Sequence, residues 1–229
     1  MSAPVIAVDG PAGSGKSSVC RGVADRLHMR YLDTGAMYRA MTWAMLDRGI
    51  DVNDAVAVAG AADAVEIVSG TDPLAPTIHV GSVDVAGPIR GDEVTGAVSA
   101  VSAVPAVRER LVDIQRAEVT AATTAGDGIV VEGRDITTVV LPDADLKVFV
   151  TADPAVRAAR RAAQDSDLGK DSVDVKQTEA ALIERDRKDS SRVTSPLSVA
   201  SDAVVVDTTD MTLEQVIEHV CGLVAAVSD

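Results

Sequence analysis

The sequence predicts an α/β fold built on a parallel sheet with helices on both faces. Short, β-branched apolar runs recur along the chain, and between them lie stretches with apolar residues at helical spacing. Near-continuous apolar strands of this kind are buried on both faces, and parallel strands need a crossover helix between them. The first strand-to-helix junction adds a third observation, because the glycine-rich stretch GPAGSGKSS follows the apolar run VIAVD directly.

In chain order, residues 5–9 read as a buried strand. Val19, Cys20, Val23, Ala24 and Leu27 give helical spacing over 16–27, and 29–32 reads as a second strand. Thr34 is placed to cap a helix carrying Met37, Tyr38, Met41, Trp43, Ala44 and Leu46. The alternation then breaks. Residues 65–68, 77–80 and 83–85 look like three short strands, with Gly81 and Ser82 as a two-residue hairpin loop. This predicts a small antiparallel insert over 63–91, ahead of a helix that starts near Pro105.

Three more buried strands are expected at 129–132, 146–150 and 203–206. Asp153 and Pro154 suit the N-cap and first position of a helix over 155–164. The polar stretch QDSDLGKDSV, 164–173, reads as a mobile loop or lid. Thr212 and Gln215 form a capping box ahead of Val216, Ile217, Val220, Leu223, Val224 and Val227. No internal repeat or low-complexity tract interrupts the chain, so 1–229 is expected to be a single domain.

Composition narrows the function classes. With 229 residues, 47% of them hydrophobic, the chain has enough apolar material for a sizeable core. The N-terminus has no basic segment followed by an apolar one, and no run of about 18 apolar residues occurs. Cys20 and Cys221 sit in helical apolar patterns and are expected to be buried free thiols. A cytoplasmic monomer follows as the expectation. A net charge of −14 argues against nucleic acid or an anionic membrane as partner. Yet 16 of the 21 cations are arginines, whose planar fork suits phosphate and stays charged when desolvated. Local arginines in an acidic chain suggest a focused site for a small anion.

Residues 10–18 supply the phosphate-binding frame G-x(4)-G-K-S. Gly10, Gly13 and Gly15 allow a tight turn through Pro11, Ala12 and Ser14, so that successive amides point at one phosphate. The helix that follows adds its positive dipole end. Lys16 brings a charge toward the β- and γ-phosphates, and Ser17, followed by Ser18, offers a hydroxyl to Mg²⁺. No lysine is preceded by Asn or Thr, so the guanine-reading [NT]-K-x-D motif is missing and ATP is favoured over GTP.

Four further stretches carry acceptor-side chemistry. They are LDTGAMYR at 32–39; Arg108, Arg110 and Gln115 on the helix after the insert; EGRD at 132–135; and RDRKDSSR at 185–192. Two of them follow strands, where open α/β sheets bind ligands. Each alone also fits a solvated charged face or a salt-bridged turn.

Together, GPAGSGKSS, LDTGAMYR, SAVSAVPAVRERL, VEGRDITTVVLPDADLKVFV and ERDRKDSSRVTSPL resemble the bacterial cytidylate kinases, from Val5 to the last helix. The resemblance implies a P-loop kinase core with a five-stranded parallel sheet, an antiparallel insert on the acceptor side, and a short lid over ATP at 157–175. It implies transfer of the γ-phosphoryl group of ATP to CMP or dCMP, with Mg²⁺. Arg39 and Arg134 match positions that grip the acceptor phosphate. Thr34, Arg108 and Asp135 match positions that read cytosine, whose N4 donor and N3 and O2 acceptors complement a carboxylate beside an arginine. Ser99, Arg185 and Asp189 match positions near the sugar, and Arg192 one that closes on the nucleotide. Arg157, Arg160 and Arg161 match the arginines that approach the transferred phosphate. The catalytic set implied is Lys16, Asp33, Arg134, Arg157 and Arg161. The family often has Ser at position 34 and Lys-Gly-Thr where this chain has Lys16, Ser17 and Ser18. The Mg²⁺ ligands therefore stay open among Ser17, Asp33, Glu132 and water. Two other classes also stay open: a kinase with a hydroxyl acceptor and Asp33 as base, and a nucleotide-binding regulator without turnover.

Overall fold

A computed structural model describes residues 3–167, 174–192 and 194–228. Strand β1 (Val5–Asp9) leads through the glycine-rich loop into α1 (Lys16–Arg26). Next come β2 (Arg30–Asp33), α2 (Thr34–Asp47) and α3 (Ala55–Ala62). Strands β3 (Ile67–Ser69), β4 (Ile78–Val80) and β5 (Val83–Asp84) follow, then a 3₁₀ turn at Pro88–Arg90. Helices α4 (Asp92–Val101) and α5 (Pro105–Thr124) lead to β6 (Ile129–Gly133) and a π-helical turn at Ile136–Val140. The chain closes with β7 (Leu146–Thr151), α6 (Pro154–Asp167), α7 (Val175–Ser190), β8 (Val204–Asp207) and α8 (Leu213–Ser228).

The main sheet has the order β2-β6-β1-β7-β8 and is parallel throughout. Side chains alternate across it and build two cores. Ala7, Leu32, Ile129 and Val131 pack with Met37 and Met41 of α2 and Leu111 of α5. Ile6, Val8, Tyr31, Val130 and Val148 pack on the other face with Val19 and Val23 of α1 and Val216 and Val220 of α8. Register brings Asp9 opposite Gly133 and Asp33 opposite Glu132, so the carboxyl ends of β1, β2 and β6 stand level. The site forms along that edge.

The smaller sheet is antiparallel, order β3-β4-β5, as expected for the insert. Gly81 takes φ 55 in the two-residue turn between Val80 and Val83.

Several local expectations differ from the structure. Asp33, not Thr34, caps α2: its carboxylate accepts from Ala36 N at 2.9 Å. Thr34 is the first helical residue, and its hydroxyl donates to Glu132 O at 2.7 Å. Helix α3 has the sequence AVAVAGAA, whose alternation hides any 3.6-residue period; Asp54 starts it by accepting from Val56 N and Ala57 N. Helix α4, rich in valine, was also absent from the sequence pattern. Helix α6 continues to Asp167, so residues 164–167 of the expected loop are helical, while 168–173 lie outside the described residues. Cys20 is buried and free, but Cys221 is only half-buried. Among the described residues, no helix is long and apolar enough to cross a membrane.

Candidate active site

One cavity of about 670 Å³ runs along the carboxyl edge of the sheet, from the glycine-rich loop to α5 and α7. At one end, Ala12 to Ser18 line it. Gly10 and Pro11 are not part of its lining. Gly10, at φ 153, passes so close to β7 that a Cβ would sit 2.0 Å from Val150 O, which no side chain permits. Gly13, at φ 77, also passes close over α6, with a Cβ only 2.8 Å from Arg157 O. Lys16 folds back over the loop and donates from Nζ to Pro11 O at 3.2 Å. Burial and the nearby Arg134 pull its ammonium down to about 8, against the opposing pull of Glu132. A phosphate here would restore that charge. Ser14 Oγ is buried without a hydrogen-bond partner, a spare polar atom in the loop.

The loop is held from below by a buried carboxylate. Asp9 accepts from Ile136 N at 2.9 Å, and from Thr137 N and Oγ1 at 2.8 and 2.7 Å. It is held from the side by Arg157, which donates to Ala12 O at 3.1 Å and to Asp186 at 2.5 Å. Asp186 in turn accepts from Ala12 N at 3.3 Å. Arg157 therefore grips the loop backbone and does not form part of the cavity wall, whereas Arg160 and Arg161 do. Arg160 donates twice to Thr208, to Oγ1 and O, each at 2.8 Å.

At the other end of the cavity, Thr34, Arg39, Ser99, Arg108, Arg134, Asp135, Arg185, Asp189 and Arg192 all line the wall. Two carboxylates organise them. Asp189, 1% exposed, accepts from Arg134 Nε at 3.2 Å and from Arg192 Nη2, with Arg185 at 3.9 Å. Asp135 pairs with Arg108 Nη2, and Arg108 also donates to Ser102 O at 3.2 Å. Arg39 donates to Ile89 O and Thr95 Oγ1, both at 3.0 Å. Arg39 and Arg185 are each pulled below the ordinary guanidinium value, first by burial and then by neighbouring arginines. Positive charge is thus concentrated in one cleft of an acidic chain, an arrangement that attracts small anions.

Residues 6–226 match the sequence family described as cytidylate kinase. The chain belongs to the cytidylate kinase family. A cytidylate kinase of Streptomyces avermitilis is 58% identical over 222 residues, covering 97% of this chain and 93% of that one. One of Mycolicibacterium paratuberculosis is 53% identical over 226 residues, covering 98% and 96%. Among solved structures, an unliganded sugar kinase from a Janibacter species aligns with TM-score 0.50 and 16% identity over 98% of each chain, which speaks to the fold alone. As a member of the cytidylate kinase family, the chain is a nucleoside monophosphate kinase with a P-loop kinase fold.

The family implies Mg²⁺ with ATP, and the oxygens present fit it. Ser17 lies beside Glu132, with Asp33 near enough to help burial raise the Glu132 carboxyl. Tyr31 Oη donates to Glu132 from the strand below. A hydroxyl and two carboxylates are hard ligands of the kind Mg²⁺ takes while keeping several waters. Among the described residues, no group of three or more His, Cys, Asp or Glu stands ready for a metal.

Sequence reasoning missed other parts of this cytidylate-kinase-family site. Thr208, Met211, Leu213 and Val216 line the cavity beside the glycine-rich loop. The capping box at Thr212 marked only a helix start there, and the segment reaches the loop because β8 lies beside β7. Asp186 and Arg90 were likewise without assigned roles, and nothing in their local sequence distinguishes them from solvated charges.

Proposed function

We propose that this chain transfers the γ-phosphoryl group of ATP to the 5′-phosphate of CMP or dCMP, giving ADP and CDP or dCDP. The observation that carries this reading is one continuous cavity that joins the glycine-rich loop to the buried Arg108–Asp135 pair, with more arginines than carboxylates between. One end suits a triphosphate, and the other suits the polar edge of cytosine.

In the reaction a non-bridging oxygen of the acceptor phosphate forms the new P–O bond. The bond from the γ-phosphorus to its bridging oxygen breaks, and ADP keeps the electron pair. The acceptor oxygen is already anionic near neutral pH, so no general base is needed. Asp33 is in any case engaged as the cap of α2. The protein's work is positioning and charge neutralisation. The amides of Gly13 to Ser18 and the Lys16 ammonium take the donor phosphates. Arg39 and Arg134 hold the acceptor phosphate, and Arg161 faces the transferred group. Arg157 acts at one remove, fixing Ala12 together with Asp186. Mg²⁺, held by Ser17 and through water by Asp33 and Glu132, would neutralise the donor phosphates.

Asp135 accepts from the cytosine amino group and Arg108 donates to its ring acceptors, with Thr34, its hydroxyl held by Glu132 O, packed beside the base edge. Ser99, Arg185 and Asp189 face the sugar, and Arg192 closes over it. Thr208, Met211, Leu213 and Val216 offer a partly apolar wall for the donor base. The insert at 63–91 covers the acceptor side, and the described part of the expected lid, 157–167, covers ATP and excludes water as competing acceptor. One chain supplies every residue named, which supports action as a monomer. The substrates are internal metabolites, and the reading carries a cytoplasmic location with it.

Phosphorus NMR of ATP, Mg²⁺ and CMP with the protein tests this. The expected result is equal growth of ADP and CDP signals. ATP loss with orthophosphate as the product, or no change, overturns it.

A further inference from the structure

Tyr31 is 2% exposed and packs in the core that Ile6, Val8, Val23, Val130 and Val148 form under α1. Phenylalanine would fill that space with no polar atom to bury. A buried phenol needs a partner, and this one donates from Oη to the Glu132 carboxylate. The register explains the reach. Strands β2 and β6 run parallel, with Tyr31 beside Val130 and Asp33 beside Glu132. Side chains alternate along a strand, so Tyr31, Val130 and Glu132 share the face that α1 covers. The phenol thus meets Glu132 at the carboxyl edge, near the first turn of α1 with Lys16 and Ser17. The base of the ring is held as well: Tyr31 N donates to Thr71 O of the insert at 2.9 Å.

Glu132 is itself buried, yet it lines the cavity. A buried carboxylate is costly unless hydrogen bonds hold it. Tyr31 holds it from the core side, and the Ser17 hydroxyl bonds to it from the loop side. Two donors from two directions stop the carboxylate from turning. A hydroxyl that gives its proton to a carboxylate keeps its lone pairs for a cation. Tyr31 therefore sets Glu132, and Glu132 sets Ser17.

We propose that Tyr31 is a positioning residue for the metal ion of the donor nucleotide, which through Glu132 aims the oxygens of Glu132 and Ser17 at Mg²⁺. This rests on the Mg²⁺ placement given above and adds to it the residue that makes the placement rigid. Mg²⁺ demands near-octahedral oxygens, so it gains from ligands that cannot turn. Nucleotide without the metal gains nothing from this contact.

Isothermal titration of ATP, once with Mg²⁺ and once with EDTA, into the natural chain, Tyr31→Phe, Glu132→Gln and the double variant tests this. Tyr31→Phe removes one oxygen and keeps the ring in its core. It should weaken Mg²⁺–ATP by about tenfold, the scale of a lost partner behind a metal ligand, and leave metal-free ATP unchanged. Glu132→Gln should lose at least as much with Mg²⁺, and Tyr31→Phe should add nothing in that background. Unchanged Mg²⁺–ATP affinity in Tyr31→Phe overturns the inference. Equal weakening with and without Mg²⁺ overturns it too, since the phenol would then serve the fold alone, and so do losses that add in the double variant. Should Tyr31→Phe fail to fold, Glu132→Gln decides: a loss confined to Mg²⁺–ATP supports the inference, and unchanged affinity overturns it. If the natural chain binds ATP equally with and without Mg²⁺, the metal placement itself falls, and this inference with it.

Discussion

Arg108 and Asp135 form an ion pair in which both side chains are almost wholly buried, 4% and 5% exposed. Arg108 comes from α5 and Asp135 from the residues just after β6, so the pair joins the acceptor-side helix to the sheet edge. The guanidinium also lies 5.3 Å from the centre of the Tyr38 ring. Desolvating two charges often costs more than their attraction returns, so stability alone is a weak reason for such a pair. A role in reading cytosine supplies a reason.

Asp135→Asn should therefore change selectivity more than it changes fold. Asn keeps the shape but offers a donor where cytosine also presents one. The ratio of kcat/KM for CMP over UMP should fall by about tenfold or more, in line with a mispaired buried polar group. Steady-state kinetics with both acceptors measures this. A ratio that stays constant while both activities fall would assign the pair to structure.

Lys16→Ala should remove turnover while leaving the fold intact. Its one hydrogen bond is to Pro11 O within the same loop, so no distant element depends on it. Loss of a single preorganised charge at a transferring phosphate predicts a fall of about 10²–10³ in kcat. Full turnover in this variant would contradict the mechanism.

Arg157 and Asp186 should behave as one unit. They hold the carbonyl and the amide of Ala12, at 3.1 and 3.3 Å, and bond to each other. Arg157→Ala, Asp186→Ala and the double variant should weaken ATP binding by similar amounts, with a coupling energy near the single losses. Titration of ATP into the three variants measures the cycle, and additive losses would separate the two residues.

Asp9 should make the stability of the chain sensitive to pH. Burial raises its carboxyl above the usual value of 3.8, against three hydrogen bonds from Ile136 and Thr137 that lower it. A carboxyl raised in the folded state favours folding while protonated, and that contribution is lost as pH rises through the raised value. The advantage of the natural chain over Asp9→Asn in urea unfolding should therefore shrink as pH rises above the ordinary carboxyl value of 3.8. An advantage that grows with pH would mean that the hydrogen bonds outweigh burial.

Legibility in the sequence followed the range of the interactions. The glycine-rich loop works through backbone amides and side chains that follow one another in sequence, so its chemistry lies in nine adjacent residues and is read directly. Buried parallel strands announce themselves as short apolar runs, and all five main strands lay within a residue or two of their observed ends. Helix α3 was hidden because alternating Ala and Val carry no helical period. Asp33 and Thr34 are adjacent and both suit an N-cap, so only the hydrogen bond to Ala36 distinguishes them. The joining of Arg108 to Asp135, 27 residues away, was implied by family resemblance and not by spacing. Arg90, Asp186 and the wall from Thr208 to Val216 depend on tertiary placement that no local pattern encodes.

The most direct measurement is ADP release from ATP–Mg²⁺ against CMP, dCMP, UMP, AMP, GMP and shikimate, with a control lacking acceptor. Strong turnover with CMP and dCMP, and little with the rest, is the predicted result. Turnover with shikimate, or ADP release that needs no nucleotide acceptor, would contradict the assignment of the arginine-lined end of the cavity to cytidylate.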